Sequence, residues 1–214
     1  PKGVMNVVHG GKECVDALLT HPKIRAISFV GSSPVAKYIF ETGTQHGKRV
    51  QAAGGAKNYV FVMPDADFEN SVTGLVDAAF GCAGQRCMAG STAVTIGKAA
   101  DKLLPPLAEA VKAIKVGATD RDPTAKMGAV ISPQHREKVA GLIEAGVKDG
   151  AKVLVDGRGV KVPEQPKGFY LGPSIVDHVR DGMAIAREEV FGPVLNVMRF
   201  EDLESAIENA NRTI

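Results

Sequence analysis

Charge of one sign is the first thing this sequence lacks: 26 Lys and Arg stand against 24 Asp and Glu, a formal net charge of +2 spread without a block. That balance gives no electrostatic footprint for nucleic acid or for an anionic membrane. No apolar run approaches membrane-spanning length, and the first residues lack the charged, apolar, small-residue order of a secretory signal. Cysteines are few and odd in number, Cys14, Cys82 and Cys87, which argues against a disulfide framework and for a reducing compartment. Internal repeats and low-complexity tracts are missing too. What is present suffices for a sizeable core in one or two domains: 214 residues, 44% of them hydrophobic. The expectation is a soluble intracellular enzyme or binding protein with no nucleic-acid or membrane partner. The chain opens on Pro1 directly before an expected strand and stops at "NANRTI" directly after an expected helix, so an internal segment of a longer chain is expected.

Periodicity places the elements. "VMNVV" (4–8) reads as a strand and "KECVDALLTH" as a helix with Cys14, Val15, Leu18 and Leu19 at helical spacing. "RAISFV" (25–30) is a strand that runs into Gly31-Ser32-Ser33-Pro34, then "VAKYIFETG". Serine before proline predicts a helix start, with the hydroxyl capping free amides. "KRVQAA" is a third strand leading to Gly54-Gly55. Strand-helix-strand-helix-strand is half of a doubly wound nucleotide fold, whose ligand position would be the Gly31-Ser32 turn. Many α/β proteins carry such a turn and bind nothing there. A second α/β unit is expected from near Gly54: strands in "NYVFVM", "STAVTIG", "AKVLVDG", "FYLGPSIVD" and "VLNVMRF", with helices over 68–80, 99–116, 134–149 and 202–212.

"FGCAGQRCMAGS" (80–91) sets Cys82 and Cys87 five positions apart. A zinc site would need two more ligands, which no His or Cys cluster supplies at a usual spacing. A redox pair would be closer in sequence. Cys14 and Cys82 read as buried structural thiols. Cys87 stands in the polar, turn-prone Gly84-Gln85-Arg86-Cys87, where Arg86 and loop amides would favour the thiolate, the form that attacks carbonyls.

"FGCAGQRCMA" resembles the active-site cysteine motif of aldehyde dehydrogenases. "FVGSSPVA", "GGAKNYVFVMPDAD" and "REEVFGPVL" resemble three more of the family's motifs, in the family's order. The resemblance implies an α/β fold: the C-terminal part of a Rossmann-like NAD-binding domain over 1–53, then most of a catalytic domain over 54–214. It implies Cys87 as the nucleophile, which takes the aldehyde as a thiohemiacetal and, after hydride transfer to NAD, holds a thioacyl group. Gly31 and Ser32 match the pyrophosphate turn, and Gly54 the glycine pair of the lysine stretch beside the cofactor. Glu189 matches the carboxylate that holds the nicotinamide ribose, and Phe191 the ring near the nicotinamide. The family's oxyanion-hole asparagine and adenosine-ribose ligands precede the position of Pro1, so this chain alone is expected to be inactive. Members are dimers or tetramers, and the choice of NAD over NADP rests on the analogy.

One departure narrows the chemistry. Hydrolytic members carry a glutamate 34 residues before the nucleophile as general base for the deacylating water; here that position is Ala53, in "QAAGGAK". Loss of a general base slows such a step about 10²–10⁴-fold, and a thiol such as coenzyme A would then take the acyl group. "GAKN", "VMPDAD" and "GQRCMA" resemble the CoA-acylating methylmalonate-semialdehyde dehydrogenases, which typically have asparagine where this chain has Ala53. The implied reaction is NAD-dependent oxidation of malonate or methylmalonate semialdehyde with loss of CO2, giving acetyl- or propanoyl-CoA. Arg86 is a candidate clamp for the substrate carboxylate; alternatively it lowers the thiol pKa or pairs with a local acid. A hydrolytic dehydrogenase with another base, and a non-catalytic fragment, are the competing readings. The compartment would be bacterial cytosol or mitochondrial matrix.

Overall fold

Parallel strands need a crossover long enough to return the chain, and the sequence supplies one: "VGSSPVAKYIFETGTQ" lies between two β-rich stretches. A computed structural model describes residues 1–212. The chain divides into two compact units, Pro1–Ala56 and the remainder from Lys57. The first contains α1 (Lys12–Thr20), β1 (Ala26–Val30), α2 (Ser33–Gln45) and β2 (Arg49–Ala53). β1 and β2 pair in parallel, Ala26 opposite Arg49 through Val30 opposite Ala53. α2 lays Ala36, Ile39 and Gly43 inward, and Leu19 of α1 is buried with them.

The second unit contains β3 (Tyr59–Val62), α3 (Phe68–Phe80), β4 (Thr92–Ile96), α4 (Ala99–Lys112), α5 (Pro133–Lys148), β5 (Lys152–Val155), β6 (Ser174–Asp177), α6 (Ala184–Arg187), β7 (Val194–Phe200) and α7 (Leu203–Asn211). Its sheet runs β3-β4-β7-β6-β5, parallel except for β5 at one edge. Every residue of β4 and β6 is buried, as are the first five of β7. Two covered faces explain why these strands read as apolar runs rather than alternating ones. One face packs on Leu75 and Ala79 of α3, Leu103 and Leu107 of α4, and Val139 and Ile143 of α5. Val94 and Ile96 point the other way, onto Ala206 of α7, as the period of two requires.

Four expectations are corrected. Residues 4–8 form no strand: no neighbour satisfies their backbone groups in a ladder, and Val4, Met5, Val7 and Val8 are exposed. The first unit is therefore helix-strand-helix-strand, with one βαβ step. In "FYLGPSIVD" only Ser174–Asp177 pairs, because Pro173 has no N–H to give and Gly172 is pressed against the backbone of Gly157. The helix from Ala99 stops at Lys112, after which Val116 turns to bridge with Met127. Finally, no Ser32 or Ser33 hydroxyl caps α2; Ser33 Oγ instead accepts the N–H of Gly55 at 3.0 Å.

Candidate active site

The cysteine stretch begins where α3 ends. Asp67 caps that helix, its carboxylate accepting the N–H of Asn70 at 3.1 Å, and the helix delivers the chain at Phe80 into a tight turn over Gly81–Gly84. Cys82, Ala83 and Gly84 all take left-handed backbone conformations, φ 52°, 53° and 67°, which for the first two is a strained choice. Packing holds it: Ala83 is buried, and an added Cβ on Gly84 would stand 2.0 Å from the carbonyl oxygen of Gly192. The cysteine loop thus lies backbone to backbone against the glutamate–phenylalanine–glycine motif, 108 residues away in sequence.

Four further ties define the loop. Arg86 donates through one terminal guanidinium nitrogen to the carbonyls of Asp77, 2.6 Å, and Ala78, 3.0 Å. The N–H of Gly90 also donates to Ala78 O. Gln85 Oε1 accepts the N–H of Ile131 at 3.0 Å. Asn58, at the start of β3, donates both hydrogens of its side-chain amide, to Cys87 O at 2.7 Å and Ala89 O at 3.0 Å. Two carbonyl acceptors fix which end of that amide faces the loop. Cys87 itself is exposed in the turn these bonds define.

Cys82 is exposed and Cys14 half-buried, a correction to both as buried structural thiols. Arg86 folds its guanidinium onto the carbonyl end of α3, where one terminal nitrogen does the work of a helix cap.

The other half of this unit's site is the segment from α6 to Gly192. Glu188 is exposed and reaches Lys138 at 3.8 Å, whereas Glu189 is half-buried. Lys57 Nζ donates to the carbonyls of Ile185 and Glu188, each at 2.8 Å. Burial pulls the Lys57 ammonium down to about 8, against the opposing pull of Glu189 and then Glu188. Asn196 Nδ2 gives Ile185 O a second donor at 3.1 Å. Phe191 sits at φ 51°, its carbonyl accepting from His135 Nε2 at 2.6 Å and its ring meeting the His135 ring edge-on at 6.4 Å. The carbonyl acceptor requires His135 to carry its proton on Nε2.

In the first unit, Gly31 and Ser32 form the turn between β1 and α2, with the Gly31 N–H donating to Ala53 O at 3.1 Å. Gly54 follows β2, and a Cβ there would stand 2.8 Å from Ser33 Oγ and 3.3 Å from Ser33 Cα. Glycine is the residue that permits this approach. The result is a 13-residue helix whose first amides carry no side-chain cap, at the C-terminal ends of two parallel strands. That is the donor set a phosphate-bearing cofactor uses. Ala53 is exposed at the end of β2, and its methyl side chain offers no proton acceptor.

Sequence reasoning overlooked three contributors. Lys57 and Asn58 were legible only as part of "GGAKNYVFV", and His135 carried no signal beyond a place near a helix start. Their partners lie 128, 29 and 56 residues away. Among the described residues, no three His, Cys, Asp or Glu side chains converge on a metal position, and no helix is long and apolar enough to cross a membrane.

Comparison with known proteins agrees with this arrangement. The pattern of the aldehyde dehydrogenase family matches residues 1–214. The human protein named methylmalonate-semialdehyde/malonate-semialdehyde dehydrogenase [acylating], mitochondrial, is 51% identical over 211 residues, 99% of this chain and 39% of that one. The crystal structure of methylmalonate-semialdehyde dehydrogenase (DddC) from Oceanimonas doudoroffii matches with a TM-score of 0.93 at 48% identity, over 98% of this chain and 43% of its own. A Sinorhizobium meliloti protein solved in complex with NAD gives 0.92 at 42% identity, over 95% of this chain and 42% of its own. The chain spans about two fifths of the length of these relatives. With its four motifs in order, its mixed α/β architecture and this likeness over nearly every residue, the chain belongs to the aldehyde dehydrogenase family.

Proposed function

We propose that the enzyme carrying this chain oxidises malonate or methylmalonate semialdehyde with NAD, holds the product acyl group on Cys87, and passes it to coenzyme A with loss of CO2. The observation that carries the reading is an exposed, firmly held Cys87 in a sequence that has Ala53 at the position where hydrolytic members keep their base. An acyl group that no carboxylate-activated water removes needs a better nucleophile, and a thiol attacking a thioester exchanges one sulfur for another. The name of the human relative, which includes "acylating", supports the same conclusion.

In this reading Cys87 Sγ attacks the aldehyde carbon, and Asn58 and the carbonyl end of α3 keep the turn in place while it does so. Bound NAD supplies the hydride acceptor. Gly31, Ser32 and Gly54 accommodate its pyrophosphate at the amide end of α2. Glu189 takes the nicotinamide ribose hydroxyls, and Phe191 walls the nicotinamide side. Residues 1–53 act as part of the cofactor domain and the chain from Gly54 as part of the catalytic domain. A dimer or tetramer in the bacterial cytosol or the mitochondrial matrix completes the reading, checked by light scattering of the full-length enzyme.

The test is NADH formation from malonate semialdehyde by the full-length enzyme, with and without coenzyme A. Strict dependence on CoA, with thioester as product, is the expected result. Steady release of free acid without CoA would replace the reading by a hydrolytic one. Peptide-resolved alkylation should find Cys87 faster than Cys14; equal rates would favour a non-catalytic protein. Because Cys82 is exposed as well, the assignment must be made residue by residue.

A further inference from the structure

Lys57 and Asn58 are consecutive, yet their side chains serve different halves of the site. Asn58 is locked to the sheet by its own backbone, its carbonyl accepting the N–H of Thr92 at 3.2 Å. From there its amide holds Cys87 O and Ala89 O, two carbonyls of the cysteine turn. Lys57 holds Ile185 O and Glu188 O. α6 is only four residues long, so its terminal carbonyls need outside donors, and Lys57 supplies them immediately before Glu189. A second tie reinforces the link: Asn196 is fully buried, its N–H donating to Ser91 O while its side-chain amide donates to Ile185 O. Keeping an ammonium in a half-buried place is unfavourable, which suits a group retained for position.

We propose that Lys57 and Asn58 form a positioning bracket at the start of β3, in which Asn58 fixes the turn presenting Cys87 and Lys57 fixes the segment presenting Glu189, so that one dipeptide sets the nucleophile relative to the ribose-binding carboxylate. The inference rests on the proposed roles of Cys87 and Glu189. Neither Lys57 nor Asn58 is a catalytic residue; each acts through the backbone of the group it holds. Preorganisation of this kind matters because small misplacements of reacting groups lower rates steeply.

The bracket makes two separable predictions for the full-length enzyme. Asn58→Leu keeps the bulk and removes both donors. It should slow alkylation of Cys87 by iodoacetamide, and kcat, about tenfold, with the Kd for NAD within about twofold of wild type. Lys57→Met should raise the Kd and KM for NAD about tenfold while leaving Cys87 alkylation without NAD nearly unchanged. Asn58→Gln and Lys57→Arg restore donors and should recover part of each loss. They also serve if an apolar replacement fails to fold. If both apolar variants move both readouts together, or neither moves its own, the bracket is refuted. Glu189→Gln separates the layers. Unchanged NAD affinity in that variant removes the ribose role and the bracket with it. Weakened affinity there, with none in Lys57→Met, sinks the bracket and leaves the ribose role standing.

Discussion

A methyl group at Gly84 would collide with the backbone of Gly192 at 2.0 Å, and its φ of 67° already disfavours any side chain. No rotamer can relieve that clash, since its partner is main chain. Gly84→Ala should therefore cost about 2–4 kcal/mol in urea unfolding and displace the turn that presents Cys87, slowing its alkylation. A stable variant with unchanged Cys87 reactivity would refute this account of the loop. Lys57 gives a pH prediction of defined sign. Its folded pKa, about 8, lies below the ordinary 10.5, so between those values the unfolded chain binds more protons. Stability attributable to this residue then rises with pH across about 8 to 10.5, because the penalty of the buried charge is present below that window and gone above it. Urea unfolding of wild type and Lys57→Met should diverge with that slope; parallel pH profiles would contradict it.

At the scale of elements, helix capping and a buried ion pair add to the placing done by the sheet and its core. Asp67 starts α3, whose far end carries the cysteine loop, and Asp67→Ala should cost about 1 kcal/mol by thermal or urea unfolding. The Asp177 carboxylate, 2% exposed, accepts from Arg199 Nε at 3.1 Å and from a terminal nitrogen at 2.7 Å, joining β6 to β7. Arg199→Met would leave that buried carboxylate without its guanidinium, with the His178 N–H still donating to it at 2.7 Å, and should cost about 3 kcal/mol, with little change if Asp177 is replaced by Asn at the same time. A simple surface pair would show no such rescue. Element boundaries were legible where a cap stood in the sequence, as at Asp67 before Phe68–Phe80. They failed where an apolar run lacked a partner, as over residues 4–8, or where Gly172-Pro173 interrupted the backbone donors ahead of β6.

For the molecule as a whole, β4 and β7 lie inside the five-stranded sheet with both faces covered, and hydrogen exchange should be slowest there. In the 214-residue chain residues 4–8, exposed and outside any ladder, should exchange without protection; slow exchange in that segment would show that it pairs in solution. Composition, period and motif order were sufficient to read an α/β chain of this family and to single out Cys87 and Ala53 as the positions on which the proposed chemistry turns. These properties depend on residue type and near neighbours along the chain. The bonds from Asn58 to Cys87, from Lys57 to Ile185 and Glu188, and from Arg86 back to α3 were not legible in that way. They exist because β7 inserts between β4 and β6, carrying residues 185–192 to the cysteine turn. Strand order is settled by which apolar faces can be buried together, and no local pattern in the chain encodes that choice.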